Sequence, residues 1–246
     1  MNFEKLEEML LEQAVIEKNK ELFRQKADEL RTKAFFQAMK DKDKVNALKF
    51  LEKGICVNAL NEEGQTPLMM VASCGEYQMA EKLIKEGAQV DYKGKNGWTA
   101  LMLSAYFGCE NISELLLENK ADVNLKNDDG ATALMLAVKE GYFGVSTLLV
   151  QQGAQINIQN KYGQHLIMPA IAYEYMDILK LLIEKDSSVL KEGNLLKEVY
   201  DVAMKKGDKA LALKVQENMN AQIKEKKLIS KQEINPQSSL LNENQR

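Results

Sequence analysis

Residues 94–126, GKNGWTALMLSAYFGCENISELLLENKADVNLK, have near-copies on both sides. Residues 61–93 read NEEGQTPLMMVASCGEYQMAEKLIKEGAQVDYK, and residues 127–159 read NDDGATALMLAVKEGYFGVSTLLVQQGAQINIQ. A fourth, looser copy starts at Asn160 with NKYGQHLIMPAIAYEYMDILKLLIEKDSSVLKE. In this register glycine recurs at Gly64, Gly97, Gly130 and Gly163, and again at Gly54, Gly87 and Gly153. A third ladder holds Gly75, Gly108, Gly141 and Gly207, and methionine recurs at Met69, Met102, Met135 and Met168. A fixed period of 33 residues marks a solenoid, in which each unit buries its apolar face only against its neighbours. Such a chain builds a surface for holding something more readily than a pocket for chemistry.

The residues inside a unit predict its local structure. Gly64 and its counterparts predict a tight turn of positive φ, which glycine adopts without steric cost. Thr66, Thr99 and Thr132 are placed to cap a first helix, and Pro67 suits that helix's first turn. Gly75 and its counterparts predict the end of the first helix, and Gly87 and Gly153 the end of the second. Met79, Leu83 and Ile84 fall at helical spacing and face the stack.

Several of these features together resemble the ankyrin repeat. They are Thr66-Pro67-Leu68, Thr99-Ala100-Leu101 and Thr132-Ala133-Leu134, then Leu83-Ile84, Leu116-Leu117 and Leu149-Val150, and finally Val90-Asp91, Val123-Asn124 and Ile156-Asn157. The resemblance implies an all-α solenoid of helix-turn-helix units with β-turn or hairpin tips, about six repeats long, preceded by a long helix. Residues 61–93, 94–126, 127–159 and 160–193 are the central units. Residues 31–60 and 194–219 read as degenerate terminal units, whose outer faces meet water. Residues 1–30 are expected to cap the array, with Met9, Ile16, Phe23 and Leu30 at seven-residue spacing packing on the first unit. The rival use of that spacing is an intermolecular coiled coil, which would make the protein a self-assembling structural element. Residues 220–246 are expected to be a mostly disordered tail.

This chain departs from the family pattern in places. Methionine stands at the family's usual histidine position in all four central units. Lys120 and Asp186 occupy helix-ending positions where glycine is easiest, His165-Leu166 replace Thr-Pro, and Pro169 falls inside an expected helix, which it should bend. The fifth unit is therefore expected to be the most distorted.

Composition argues against several functions. The formal net charge is −3, and Arg24, Arg31 and Arg246 are the only arginines. With so few guanidinium forks, no nucleic-acid partner is expected. No apolar run of about 18 residues exists, so no membrane partner is expected. The charged N-terminus lacks a secretory h-region, and Cys56, Cys74 and Cys109 form no CxxC pair. Both facts favour a cytoplasmic setting, with export as an effector the alternative. Gly94, Lys95 and Gly97 lack the context of a phosphate-binding loop. The single histidine, His165, rules out a multi-histidine metal site and makes a catalytic dyad unlikely chemistry for this chain. No enzyme activity, cofactor or metal is expected.

The resemblance also implies where a partner would bind. Ankyrin proteins use the concave side, formed by turn tips and the exposed face of each first helix. Carried across unit by unit, those positions include Glu62 and Glu63; Lys95, Asn96, Trp98, Tyr106 and Phe107; Asp128, Asp129, Lys139 and Glu140; and Tyr162 and Tyr173. The only tryptophan and two more aromatic residues thus fall in one unit, and such side chains are enriched among binding hot spots. The expectation is a monomeric adaptor that holds a protein partner on Trp98, Tyr106 and Phe107. Its acidic flanks would favour a basic partner segment. An inhibitor that masks its target is the alternative.

Overall fold

The structure is a computed structural model that describes residues 3–190 and 194–234, with side chains described for 15–188, 190 and 194–224. Twelve helices carry these residues, and among them no strand forms. An isolated antiparallel bridge joins Gln159 to His165. The chain divides into two compact units, Met1–Ala154 and Gln155–Arg246.

In the first unit the helices come in pairs: α1 (Phe3–Lys40) with α2 (Lys44–Glu52), α3 (Pro67–Cys74) with α4 (Tyr77–Lys85), α5 (Ala100–Tyr106) with α6 (Glu110–Glu118), and α7 (Ala133–Glu140) with α8 (Phe143–Gln151). First helices pack on first helices, α3 on α5 on α7, and second on second, α4 on α6 on α8. From α3 to α8 each helix has only seven to nine residues, too few to persist alone in water. Burial of Leu68, Leu83, Leu101, Leu116, Leu134 and Leu149 between the layers supplies the missing stability, about 1.5–3 kcal/mol for each such side chain.

Caps and turns set the repeat's shape. The hydroxyls of Thr66, Thr99 and Thr132 accept hydrogen bonds from the N–H groups of Met69, Met102 and Met135 at 3.2, 3.3 and 3.4 Å. The same methionines bury their side chains, so the residue standing in for histidine serves as adaptable core filling. At the tips, Asn61 Oδ1 accepts from Glu63 N and Gln65 N (3.0 and 2.8 Å), and Asn127 Oδ1 accepts from Asp129 N and Ala131 N (3.0 and 2.8 Å). Gly94 takes this position in the unit between them. A β-carbon there would lie 2.6 Å from both Gly64 O and Met69 Cε, so the side chain is sacrificed for close stacking of the tips. Neighbouring units are also tied by Asn58 Oδ1 accepting from Gln89 N (2.8 Å) and Asp91 Oδ1 accepting from Asp122 N (3.1 Å).

The long N-terminal helix differs from the expected one. It runs unbroken to Lys40 and serves as the first helix of the first repeat. Thr32, Phe35, Phe36, Ala38 and Met39 are buried, but Ile16, Phe23 and Leu30 are exposed instead of packed on that repeat. The nine-residue α2 spans only about 14 Å and covers just the end of its partner. The side chain of Met9 lies outside the described residues.

The second unit holds α9 (Met168–Ala172), α10 (Met176–Lys185), α11 (Leu195–Lys206) and α12 (Lys209–Ile234). Pro169 does not bend a helix as expected. The helix starts late, leaving Pro169 in its first turn, where no N–H is required. His165 does not act as a threonine-like cap. It is buried, its Nε2 lies 2.8 Å from Asn157 Oδ1, and its Nδ1 accepts weakly from Ile167 N at 3.4 Å. Asp186 (φ −150) leaves α10 in extended backbone, so the helix there has no left-handed ending. Lys120, its counterpart in the first unit, does take φ +66. Glu174 stands where the other units have glycine and also adopts a positive φ, +59. Its carboxylate pairs with Lys205 and, at 2.6 Å, with Lys206, while Lys180 pairs with Asp208 at 2.6 Å. The boundary placed at 220 falls inside α12, because strong helix formers continue past it with no glycine or proline before Pro236. Residues 235–246 lie outside the described residues.

Candidate functional site

In the first unit α5 carries an aromatic cluster at its C-terminal end. Thr99 starts the helix and Gly108 (φ +71) ends it, which sets Tyr106 and Phe107 on its last turn. Trp98 sits just before the cap, in extended backbone. The Trp98 and Tyr106 ring centroids are 5.7 Å apart at 86°, and those of Tyr106 and Phe107 are 5.1 Å apart at 89°. Both are edge-to-face contacts, worth about 0.5–1.5 kcal/mol each beyond area burial. Trp98 and Tyr106 are half-buried, whereas Phe107 is 49% exposed. The cluster is thus a supported anchor: two rings hold the third out to solvent.

The turn tips lie along the same unit. Lys95 and Asn96 are exposed on a tight helical turn, with Asn96 at φ +58. Asn96 O accepts from Asp128 N at 3.0 Å. Asp128 crowds Gly97, whose missing β-carbon would lie 2.7 Å from Asp128 Oδ1. Asp128 and Asp129 are exposed. Glu63 is not a free flank, since Lys40 pairs with it at 3.0 Å. Glu62 lines a separate cleft of about 470 Å³ together with Phe36, Lys40 and Leu60. Lys139 and Glu140 end α7 with their charged groups 4.0 Å apart. Tyr162 and Tyr173 belong to the second unit. Tyr162 is exposed with Lys161 Nζ 5.1 Å from its ring centroid, and Tyr173 lies 5.7 Å from Tyr175. The structure therefore joins Trp98, Tyr106 and Phe107 by contact, and places Lys95, Asn96, Asp128 and Asp129 in one stacked pair of tips.

Two exposed aromatic residues escaped the sequence reading. Tyr142 lays its ring on Gly108, and Phe143 beside it is 47% exposed. The signal was available in the register: Tyr142-Phe143 align with Cys109-Glu110 and Glu76-Tyr77. Cys74 and Cys109 do approach each other's neighbourhood. Cys109 Sγ lies against Gly75, and burial, with help from the Cys74 thiolate, pushes the Cys109 thiol above its ordinary range. A poorly ionised thiol is a weak nucleophile. Among the described residues no cluster of histidine, cysteine, aspartate or glutamate could hold a metal ion, and no helix is long and apolar enough to cross a membrane.

A family model described as ankyrin repeats in three copies matches residues 35–127 and again 119–193, together more than half of the 246-residue chain. No curated protein matches the chain.

Proposed function

Since the chain belongs to the ankyrin-repeat family, whose repeats generally mediate protein–protein interaction without catalysis, we propose that it is a binding adaptor whose anchor is Phe107. The observation that carries this reading is the edge-to-face pair of contacts that leaves Phe107 half exposed on a buttress of Trp98 and Tyr106. Folding alone does not require a large apolar ring there: the same register holds Cys74 in the preceding unit and Glu140 in the next. An exposed ring held rigid loses little entropy on binding, which is why such residues anchor interfaces. The tips Lys95, Asn96, Asp128 and Asp129 would form a polar rim, and acidic groups on it would favour a basic partner segment.

The support also ranks the tests. Trp98 and Tyr106 brace each other, so Trp98→Ala would lower stability as well as binding. Phe107→Ala removes the exposed ring alone. Capture of partners from the native cell by wild type and by Phe107→Ala should show one protein lost from the variant, with the thermal midpoint shifted by no more than about 2 °C. A full set of partners retained by Phe107→Ala would overturn the proposal.

A further inference from the structure

The second helices of the first unit expose corresponding positions, and one of them breaks the pattern. On α4 these positions are Tyr77, Glu81 and Lys85, and Glu81 pairs with Lys85 at 3.0 Å. On α8 they are Phe143, Thr147 and Gln151, without charge. On α6 all three are acidic: Glu110, Glu114 and Glu118, each exposed and none ion-paired among the described residues. Like charges four residues apart oppose helix formation. Glu118 also lies in the last turn, where the helix dipole disfavours an anion and where α6 has no basic residue. Lysine at 118 would restore the pairing seen on α4, so the stripe is not what folding asks for.

An apolar face adjoins this stripe. Gly144, next to Phe143, lies against the Glu110 carboxylate, and a β-carbon there would collide with it. The Tyr142 ring covers Gly108, two residues from Glu110. Phe143 and Tyr142 therefore stand at one end of a row of three carboxylates about 6 Å apart along the helix axis.

We propose that α6 and the start of α8 form a second docking surface, separate from the Phe107 anchor, for a helical partner segment with Lys or Arg four residues apart and an apolar residue at one end. Such a helix repeats its charges at the same 1.5 Å rise per residue as α6, so its cations can meet Glu110, Glu114 and Glu118 in turn while its apolar end covers Phe143. Complementary charge supplies the register, and the covered ring supplies most of the affinity.

The test is selection of peptides from a display library of helical sequences against the full chain. Selected peptides are then made synthetically and measured by fluorescence anisotropy at about 0.15 M ionic strength. The expected peptides carry Lys or Arg at four-residue spacing beside an apolar residue. Their binding should weaken about tenfold or more in Glu114→Gln/Glu118→Gln and in Phe143→Ala, and stay unchanged in Phe107→Ala. Glu118→Lys should bind worst yet melt at least as high as wild type, a combination that loss of fold cannot produce. Selected peptides without basic spacing would overturn the proposal, as would affinity insensitive to Glu114→Gln/Glu118→Gln. Neither result would touch the Phe107 reading, which is judged on partners that respond to Phe107→Ala.

Discussion

Alanine at Gly108 separates two reasons for a glycine, backbone shape and room. Gly75, Gly87 and Gly108 have φ of +76, +90 and +71, a region that costs an L-residue about 1–2 kcal/mol. Alanine recovers about 0.4–1 kcal/mol of that by narrowing the unfolded ensemble. The surroundings of the three differ. A β-carbon at Gly87 meets nothing within 4 Å, and at Gly75 it meets Cys109 Sγ at an ordinary 3.5 Å. At Gly108 it would lie 2.5–2.8 Å from three atoms of the Tyr142 ring. The ring must then swing off its rotamer, at about 0.5–1.5 kcal/mol. Gly75→Ala and Gly87→Ala are each expected to cost about 1 kcal/mol, and Gly108→Ala about 2. Urea unfolding followed by far-UV circular dichroism measures the differences. In a Tyr142→Ala background the Gly108→Ala cost should fall back to about 1 kcal/mol, the signature of a coupled pair. Equal costs for Gly87→Ala and Gly108→Ala, within about 0.3 kcal/mol, would refute the steric argument. No cost at any of the three would refute the backbone argument as well.

Two further outcomes concern side chains in glycine's place. Lys120 holds φ +66 at a helix end, so Lys120→Gly should raise stability by about 0.5–1 kcal/mol, readable as a higher urea midpoint. Glu174 is the opposite case, because its carboxylate is used. Hydrogen bonds from Lys205 and Lys206 hold its pKa down at about 2, against an ordinary 4.5. A carboxyl with a depressed folded pKa stabilises fully above the ordinary value, and that contribution is lost as pH falls from 4.5 through about 2. The stability difference between wild type and Glu174→Gln should therefore shrink over that acid range and be constant above it. An acid-independent difference would show that the pair does not act in solution.

Much of the fold was legible because solenoid contacts are local and repeated. Thr99, Gly108 and Leu116 each do in their unit what Thr66, Gly75 and Leu83 do in the unit before, so register alone identifies cap, stop and core. The errors fall where a single copy departs from the rest. Pro169 read as a kink because period placed it inside a helix, yet the backbone resolved the conflict by starting that helix late. Ile16, Phe23 and Leu30 read as a packing seam, but packing depends on how far α2 reaches, and spacing carries no such information. At the candidate site, the register separated Trp98, Tyr106 and Phe107 from scaffold positions. It passed over Tyr142 and Phe143, whose importance rests on an approach to Gly108 and Glu110 across repeats.

By itself the sequence determined the repeat, its caps and turns, and its family, since these rest on residue type at fixed short spacing. Only the tertiary structure decided that Phe107 is the ring presented, that Trp98 and Tyr106 brace it, and that Glu110, Glu114 and Glu118 stand unpaired beside Phe143. Those facts depend on which side chains meet across a stack, and so on distances that no one-dimensional pattern encodes.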